Sequence, residues 1–384
     1  MLSDTSRAWV ELSADALRHN FALARSLVGD RKIMPVIKGN AHGHGALFCA
    51  RVLAQEGADA FAVACIDEAI ALREGGISRP ILILGYTEPQ AAPELLQYKL
   101  TQSVFSEEYG EALSRSAVSS GGNIPVHIKL DTGMTRTGIF AQGCPEAAAD
   151  AILRLDALPG LAVTGLFTHY AAADMPEKDD FTAMQLENYR AVLEALRQKG
   201  FTRPIVRHTG NSASILNHPE TYFDMVRAGV MLYGFSPDGV PREGPLEPVL
   251  CLKARVIQVK DIPAGACVSY GCTFTAPKPM MLAVVSAGYA DSYPRSLSGK
   301  GAWGVIRGQK CPQVGRICMD LCMFDVTGLQ VRAGDEIILY GRGGMSLDEA
   351  AHRAGTINCE ITSLLTNRVK RTESRGRESR GRIS

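Results

Sequence analysis

Apolar and polar positions follow two alternating periods along the first 230 residues of this 384-residue chain. Short apolar runs predict buried strands at residues 8–12, 33–37, 60–64, 80–85, 124–130, 163–167 and 204–208. Amphipathic segments predict helices between them, at residues 14–17 onward, 46–55, 67–74, 89–98, 106–119 and 180–199. This alternation predicts a parallel (β/α)8 barrel. A doubly wound open sheet is the alternative, but its GxGxxG fingerprint after a first strand is absent.

The pattern changes near residues 237–248, where Pro and Gly become dense and the long helices stop. Short strands are predicted at residues 252–259, 281–285, 303–306, 323–326 and 336–339, with helices near 347–353 and 359–365. We therefore predict a barrel domain at residues 1–240 and a mostly β domain at 241–370. Residues 371–384 repeat Glu-Ser-Arg-Gly-Arg and are predicted to be a disordered basic tail.

Charge and composition exclude several classes of function. The 41 basic and 40 acidic side chains nearly cancel, which favours neither a nucleic acid nor a membrane surface as a partner. No apolar run reaches the length of a membrane helix and the N-terminus is not a signal peptide, so we expect a cytoplasmic protein. Ten cysteines include no CxxC pair, and Cys318 and Cys322 have no partner pair that would complete a zinc site. We predict no metal site and interpret all ten cysteines as reduced thiols.

One stretch suggests chemistry by its residues alone. The apolar run at residues 33–37 ends in Lys38, and Gly39, Asn40 and further glycines follow. A strand of this kind delivers an amine to the mouth of a barrel, where apolar walls lower its pKa and allow a Schiff base with an aldehyde. A solvated lysine before a flexible turn fits the same local pattern.

Several separated segments together carry a resemblance to a known family. They are residues 36–38, 129–136, 168–169, 211–213, 226–229, 269–271, 288–291 and 315–320. From about residue 8 to about residue 370, the chain resembles the alanine racemases, which are pyridoxal 5′-phosphate (PLP) enzymes with an N-terminal barrel and a C-terminal β domain.

The resemblance implies that the chain interconverts L-alanine and D-alanine with two bases. Lys38 would bind PLP covalently and act on one face of the substrate α-carbon, and Tyr270 of the partner subunit would act on the other. The phenol has an ordinary pKa of about 10, so nearby cations must lower it. The resemblance thus also implies a homodimer with shared sites.

Further roles follow from the resemblance. Arg227 would donate to the pyridine nitrogen without giving up its proton, which favours racemisation over transamination. His208 would brace Arg227. Lys129 matches a lysine that is often carbamylated to N6-carboxylysine and then positions Arg136. The other implied cofactor contacts are His42, His169, Asn211, Ser212, Gly229, Val230 and Cys359. The implied substrate contacts are Arg136, Met319 and Tyr289, with Arg295 and Asp174 at the entrance.

Two positions depart from the family pattern at the cofactor. His42 and Cys359 stand where tyrosine is usual, and Leu321 stands where glutamine is common. Histidine can still donate to phosphate, whereas a thiol is smaller and a weak donor. We hypothesise that Cys359 widens the pocket and admits serine; loss of PLP affinity alone is the alternative effect.

Two other functions are alternatives to racemisation. A PLP-dependent amino-acid decarboxylase of similar architecture would use an acid at the pyridine nitrogen and a Gly-rich phosphate loop, in contrast to Arg227. A non-catalytic PLP-binding protein would consist of the barrel alone, without the domain that carries Tyr270 and Met319.

Overall fold

The computed structural model describes residues 6–237 and 245–374, which divide into two compact units. The barrel unit contains residues 21–41 and 46–232, and the strand-rich unit contains the described residues of 1–20, 42–45 and 233–384. The predicted domain boundary after residue 240 lies outside the described residues. Residues 6–20 and 42–45 belong to the same unit as the C-terminal part of the chain. The sequence-based prediction placed one boundary at residue 240 and therefore assigned these residues to the barrel domain.

The described elements are numbered in chain order. The strands are β1 (Ala8–Leu12), β2 (Lys32–Ile33), β3 (Phe61–Val63), β4 (Ile81–Ile83), β5 (Thr101–Val104), β6 (Ile124–Asp131), β7 (Ile139–Phe140), β8 (Leu161–Phe167), β9 (Val206–His208), β10 (Met225–Val226), β11 (Leu250–Ile262), β12 (Cys267–Val268), β13 (Phe274–Thr275), β14 (Met280–Val285), β15 (Trp303–Ile306), β16 (Gln309–Val314), β17 (Cys322–Asp325), β18 (Glu336–Gly341) and β19 (Lys370–Glu373). The α-helices are α1 (Ala14–Val28), α2 (Ala46–Gln55), α3 (Ile66–Glu74), α4 (Ala92–Gln97), α5 (Glu107–Ser119), α6 (Pro145–Asp156), α7 (Asp179–Gln198), α8 (Ser212–Asn217), α9 (Leu347–Ala354) and α10 (Asn358–Ser363). Short 3-10 turns lie at Pro89–Ala91, Pro176–Lys178, Pro219–Thr221, Val230–Tyr233, Tyr270–Cys272, Tyr289–Asp291 and Arg295–Leu297.

The barrel unit is a closed ring of eight parallel strands. The strand order is β2-β10-β9-β8-β6-β5-β4-β3, and β7 is added beside β6. A parallel bridge between Val36 and Ala62 joins the segment after β2 to β3 and closes the ring. The amide of Ile37 donates to the Ala62 carbonyl at 2.9 Å across this junction. The (β/α)8 prediction is confirmed, and the carboxyl ends of its strands meet at one edge.

The strand-rich unit contains a mostly antiparallel sheet with the order β14-β17-β16-β15-β18-β11-β1-β19. The 13-residue strand β11 also pairs with β14, so six strands close on themselves while β1 and β19 extend the sheet outward. Val268, Met280, Leu282 and Val314 belong to one buried apolar cluster of this unit. The prediction that the C-terminal part of the chain is mostly β is therefore confirmed.

The predicted disordered tail is wrong at its start. Residues 371–373 belong to β19, which pairs in parallel with β1 in the register Val10 to Arg371. An unpaired strand edge offers backbone donors and acceptors, and β19 satisfies those of β1. Residues 375–384 lie outside the described residues.

The described part of the chain contains no helix that is both long and apolar enough to cross a bilayer.

Candidate active site

Lys38 stands where the first barrel strand segment gives way to an unusual turn. Gly39, Asn40 and Ala41 have φ values of 62°, 53° and 55°, which form a turn of left-handed helix. The amide of Ala41 donates to the Ile37 carbonyl at 2.8 Å. Left-handed backbone costs about 1–2 kcal/mol for each residue with a side chain, so other contacts must hold it. Lys38 itself is exposed at this edge of the barrel.

Glu68 supplies such contacts, and our sequence reasoning missed it. Its Oε1 accepts from the amide of Gly39 at 2.6 Å and from that of Asn40 at 3.2 Å. Its Oε2 accepts from the amide of Ala64 at 2.8 Å. Glu68 lies in the first turn of α3, directly after the strand next to Lys38. An acidic residue just after a barrel strand could have indicated a contact with the neighbouring Lys38 turn. The sequence analysis interpreted this residue only as part of a helix.

Arg227 is buried and held by its two terminal nitrogens. One terminal nitrogen donates to His208 Nδ1 at 3.0 Å and to the His208 carbonyl at 2.7 Å. The other lies within hydrogen-bond distance of the Thr168 carbonyl, the Thr209 carbonyl and His169 Nδ1. The predicted brace from His208 is therefore confirmed. Among the described residues, nothing accepts a hydrogen bond from Arg227 Nε.

A second histidine extends this network. His127 Nδ1 lies 2.8 Å from His208 Nε2, and both rings are buried. Burial, followed by the neighbouring Arg227, lowers the pKa of His127 to about 4. Burial, followed by His127 and Arg227, lowers the pKa of His208 well below its ordinary value. Both rings are thus neutral near pH 7, which avoids two further charges beside the guanidinium.

Four cations act on His169 at the carboxyl edge of the barrel. Burial lowers the pKa of His169 well below its ordinary value, and Arg227, Arg136, Lys129 and Lys38 lower it further. The structure therefore gathers the predicted cationic residues of the barrel unit around one neutral ring. Such a surplus of positive charge favours an anionic ligand.

Lys129 lies on β6 and is 7% exposed. Its amine donates to Thr137 Oγ1 at 2.5 Å. Burial, followed by Arg136 and Arg227, lowers the pKa of Lys129 to about 8. A hydroxyl, and not an acid, is therefore the partner of this amine. Arg136 is exposed, and its backbone amide donates to the carboxylate of Asp131 at 3.1 Å.

The predicted phosphate contacts are only partly brought together. Ser212 Oγ accepts from the amide of Gly229 at 2.9 Å, so these two positions adjoin. Asn211 caps α8, because its Oδ1 accepts from the amide of Ser214 at 3.0 Å. Val230 begins the next 3-10 turn. Among the described residues the Ser212 hydroxyl only accepts hydrogen bonds, so its own hydrogen is available for a ligand.

The predicted residues of the strand-rich unit fall into two groups. Tyr270, Tyr289 and Met319 are 68%, 42% and 52% exposed. Their loops adjoin, since the amide of Tyr289 donates to the Cys318 carbonyl at 3.0 Å and Ser269 Oγ donates to the Arg316 carbonyl at 2.6 Å. Three large side chains therefore stand exposed on neighbouring loops.

His42 and Cys359 lie in neighbouring segments of the same unit. His42 is buried, with its ring centroid 5.0 Å from that of Tyr233. Cys359 is half-buried on α10. A Cβ on Gly43 would lie 1.9 Å from the Thr362 carbonyl, so only glycine permits this approach of the chain to α10. The two residues that replace the family's tyrosines, His42 and Cys359, therefore lie in the same part of the strand-rich unit.

One prediction about the cysteines is wrong. Cys267 and Cys272 form a disulfide with a Cα–Cα distance of 5.1 Å. The other eight cysteines form no disulfide within the described residues. A spacing of five residues between two cysteines does not by itself predict a disulfide. The pairing of β12 with β13 brings the two thiols together, and these two strands were not predicted from the sequence.

A closed parallel barrel that gathers cations at the carboxyl ends of its strands defines an α/β protein with an edge that favours anionic ligands. Comparison with known proteins gives the family. The models of the alanine racemase N-terminal and C-terminal domains match residues 12–237 and 249–373. The chain belongs to the alanine racemase family.

Individual relatives agree over nearly the full length. The alanine racemase of Desulfosudis oleivorans is 42% identical over 386 residues, covering 97% of this chain and 98% of that protein. That of Desulfovibrio desulfuricans is 43% identical, covering 97% and 99%. The alanine racemase structure from Clostridium difficile 630 has a TM-score of 0.90 at 36% identity, covering 96% of both chains. None of these relatives supports the decarboxylase or the non-catalytic alternative.

Proposed function

We propose that this chain is a PLP-dependent racemase that interconverts L-alanine and D-alanine. One observation carries the proposal beyond family membership. Arg227 is fixed by bonds from both terminal nitrogens, while its Nε–H has no acceptor among the described residues. An unpaired donor on an otherwise buried and fixed side chain fits the ring nitrogen of a pyridine. The cations around His169 fit a phosphate and a carboxylate.

PLP, when bound, withdraws electrons from the α-carbon of an attached amino acid and so acidifies its hydrogen. Lys38 would bind the cofactor covalently, and its released amine would hold a proton on one face of that carbon. Arg227 donates a hydrogen bond without transferring a proton, because burial lowers its pKa only to about 10. Ser212 offers a hydroxyl donor for the phosphate. Arg136, on the loop after β6, would bind the substrate carboxylate.

A second base is required for racemisation, since one base returns the proton to the face from which it came. We assign this role to Tyr270 of the partner subunit, in a homodimer with two shared sites. Tyr270, Tyr289 and Met319 are exposed on adjoining loops. Large exposed apolar side chains that cluster in this way are typical of an interaction surface.

The test uses two variants that each remove one base. Lys38→Ala and Tyr270→Phe should each abolish racemisation of L-alanine, measured with D-amino-acid oxidase. Lys38→Ala should also remove the visible absorbance of covalently bound PLP. Tyr270→Phe should leave α-hydrogen exchange with solvent in only one enantiomer. Wild-type protein that binds no PLP, or Tyr270→Phe that exchanges both enantiomers fully, would contradict the proposal.

Coexpression of the two inactive variants tests the shared site. Half of the dimers would then be mixed, and each mixed dimer would contain one site with both Lys38 and Tyr270 intact. We expect about a quarter of wild-type activity in the mixture. Complete inactivity of the purified mixed dimer would assign both bases to a single subunit.

We propose further that the site accepts serine as well as alanine. Cys359 replaces the family's tyrosine with a smaller, half-buried side chain. The removed phenol would leave room for a hydroxymethyl group in place of methyl.

A further inference from the structure

The loop that carries Tyr270 is closed by the disulfide described above. Cys267 lies on β12, Cys272 follows the tyrosine by two positions, and the bond between them encloses four residues. Strands β12 and β13 are each two residues long and pair in the register Cys267 to Thr275 and Val268 to Phe274. So short a hairpin has few backbone hydrogen bonds with which to fix its tip.

The backbone of this tip adopts a conformation that side chains disfavour. Ser269, Gly271 and Cys272 have φ values of 65°, 71° and 46°. Two of these three residues have side chains, for which the left-handed region is sterically unfavourable. Such a conformation persists only where surrounding contacts fix it.

Contacts with residues 316 and 318 hold the tip besides the disulfide. Ser269 Oγ donates to the Arg316 carbonyl at 2.6 Å. Gly271 lies against the Arg316 guanidinium, where a Cβ would come within 2.8 Å of a terminal nitrogen. The Ser269 hydroxyl also lies 3.4 Å from Cys318 Sγ. Tyr270 itself is 68% exposed, so most of its side chain is not packed against the described residues.

We propose that the Cys267–Cys272 disulfide is a positioning device for Tyr270. It fixes the left-handed tip so that the phenol is presented in one orientation to the site of the partner subunit. This inference rests on the proposed racemase function, because that function gives Tyr270 a proton to move. A small misplacement of a reacting group is costly, up to about a hundredfold in rate for 1 Å.

The proposal makes the activity sensitive to reduction. A dithiol transfers two electrons and two protons to the bond, which yields the Cys267 and Cys272 thiols and the cyclic disulfide of the reagent. The Ser269–Arg316 contact then remains, but the loop is no longer closed across the tyrosine. The closed loop is short, so its effect on the folding equilibrium is smaller than that of a long-range disulfide. The effect should therefore be local to the tip.

The experiment compares the wild-type enzyme with the double variant Cys267→Ser/Cys272→Ser and with Cys144→Ser. Cys144 lies at the start of α6 in the barrel unit, forms no disulfide and takes no part in the proposed chemistry. We expect kcat for alanine to fall between about threefold and a hundredfold in the double variant, with a smaller change in KM. Dithiothreitol should lower the wild-type kcat in the same way and leave the double variant unchanged. Cys144→Ser should behave as wild type in both conditions.

Two readouts separate positioning from general damage. Solvent deuterium should enter one enantiomer more slowly in the double variant and the other at the wild-type rate, because only the tyrosine face is affected. Amide hydrogen exchange of residues 265–276, measured without cofactor, should speed up in the double variant while that of the barrel strands stays unchanged.

These experiments distinguish an error in the proposed racemase function from an error in the proposed role of the disulfide. Wild-type protein that racemises no amino acid would refute the proposed function and, with it, this role for the disulfide. Active wild type with an equally active double variant would refute only the positioning role. Equal slowing of deuterium entry into both enantiomers would also overturn it, because the loss would then not be specific to one face.

Discussion

His127 Nδ1 lies 2.8 Å from His208 Nε2, and this contact fixes the hydrogen positions of both rings. Arg227 donates to His208 Nδ1, so that nitrogen is an acceptor and the neutral ring has its hydrogen on Nε2. His208 therefore donates to His127. Arg227 is thus oriented by a chain of two neutral histidines, of which sequence reasoning had identified only the nearer.

Stability should fall as the solution becomes acidic. The pKa of His127 is about 4 in the folded protein and 6.5 ordinarily, with burial as the main cause and Arg227 as the second. Between these values the unfolded chain binds more protons, so stability is lost as the pH falls through this window, by up to about 1.4 kcal/mol per pH unit for one proton. Urea unfolding at pH 7.5, 5.5 and 4.5 measures this loss. His127→Asn should reduce the slope, and an unchanged slope would assign it to other groups.

Gly165→Ala should disturb the same network from β8. A Cβ at residue 165 would lie 2.5–2.6 Å from three ring atoms of His127. The ring must shift, so we expect a loss of about 1–3 kcal/mol in the free energy of unfolding. In Gly165→Ala/His127→Ala the space is vacated, and the added alanine should then cost much less. Additive losses would argue against the steric explanation.

Removal of the Glu68 carboxylate should weaken cofactor binding. Glu68→Ala leaves the amides of Gly39 and Asn40 without their acceptor, so the left-handed turn after Lys38 loses its support. A residue in the left-handed region costs about 1–3 kcal/mol unless surrounding contacts hold it, and a loss of that size corresponds to roughly 5- to 150-fold in the Kd for PLP. Absorbance titration of the cofactor-free protein measures the change. Glu187→Ala removes an exposed partner of Arg190 and should leave the Kd unchanged.

Carbamylation of Lys129 should increase with pH. Carbon dioxide reacts with the neutral amine, and a pKa of about 8 makes roughly 3% of Lys129 neutral at pH 6.5 and about 75% at pH 8.5. Incubation with 13C-labelled bicarbonate should give a carbamate NMR signal that grows over this range. The signal should be absent in Lys129→Ala, and its persistence there would assign the carbamate to another amine.

Cys359→Tyr should narrow substrate choice. If the smaller side chain admits serine, the phenol should lower kcat/KM for L-serine relative to L-alanine by about tenfold or more, which is the usual discrimination against one extra heavy atom. D-amino-acid oxidase assays of both products measure the ratio. An unchanged ratio with weaker PLP binding would favour the other effect of Cys359.

Sequence patterning predicted the architecture because apolar periodicity determines buried strands and helix faces. It failed at β5, whose residues Thr101–Val104 are mostly polar. Gln102 and Ser103 are nevertheless fully buried, and Gln102 Nε2 donates to the carbonyls of Gly85 and Ser103. The strand is defined by its backbone pairing with β4 and β6 and by the bond from Gln102 to Gly85, which are tertiary contacts that a single-sequence pattern does not contain.

The sequence predicted the site residues that belong to recognisable motifs. It did not predict the residues that reach the site only through tertiary contacts. Lys38 was indicated by the apolar run before it and by the resemblance, and Arg227 by the resemblance alone. Glu68 and His127 act on them across neighbouring strands, and no local spacing relates these pairs. The Cys267–Cys272 bond depends on a hairpin too short to give a periodic signal.

The position of β1 has a consequence for biosynthesis. Its residues, Ala8–Leu12, hydrogen-bond to β11 and β19, whose partner residues begin at 250 and 370. Synthesis of this strand therefore precedes that of both its neighbours by more than two hundred residues. During translation the backbone groups of β1 stay without their sheet partners until residues 250–254 and 370–373 have been made.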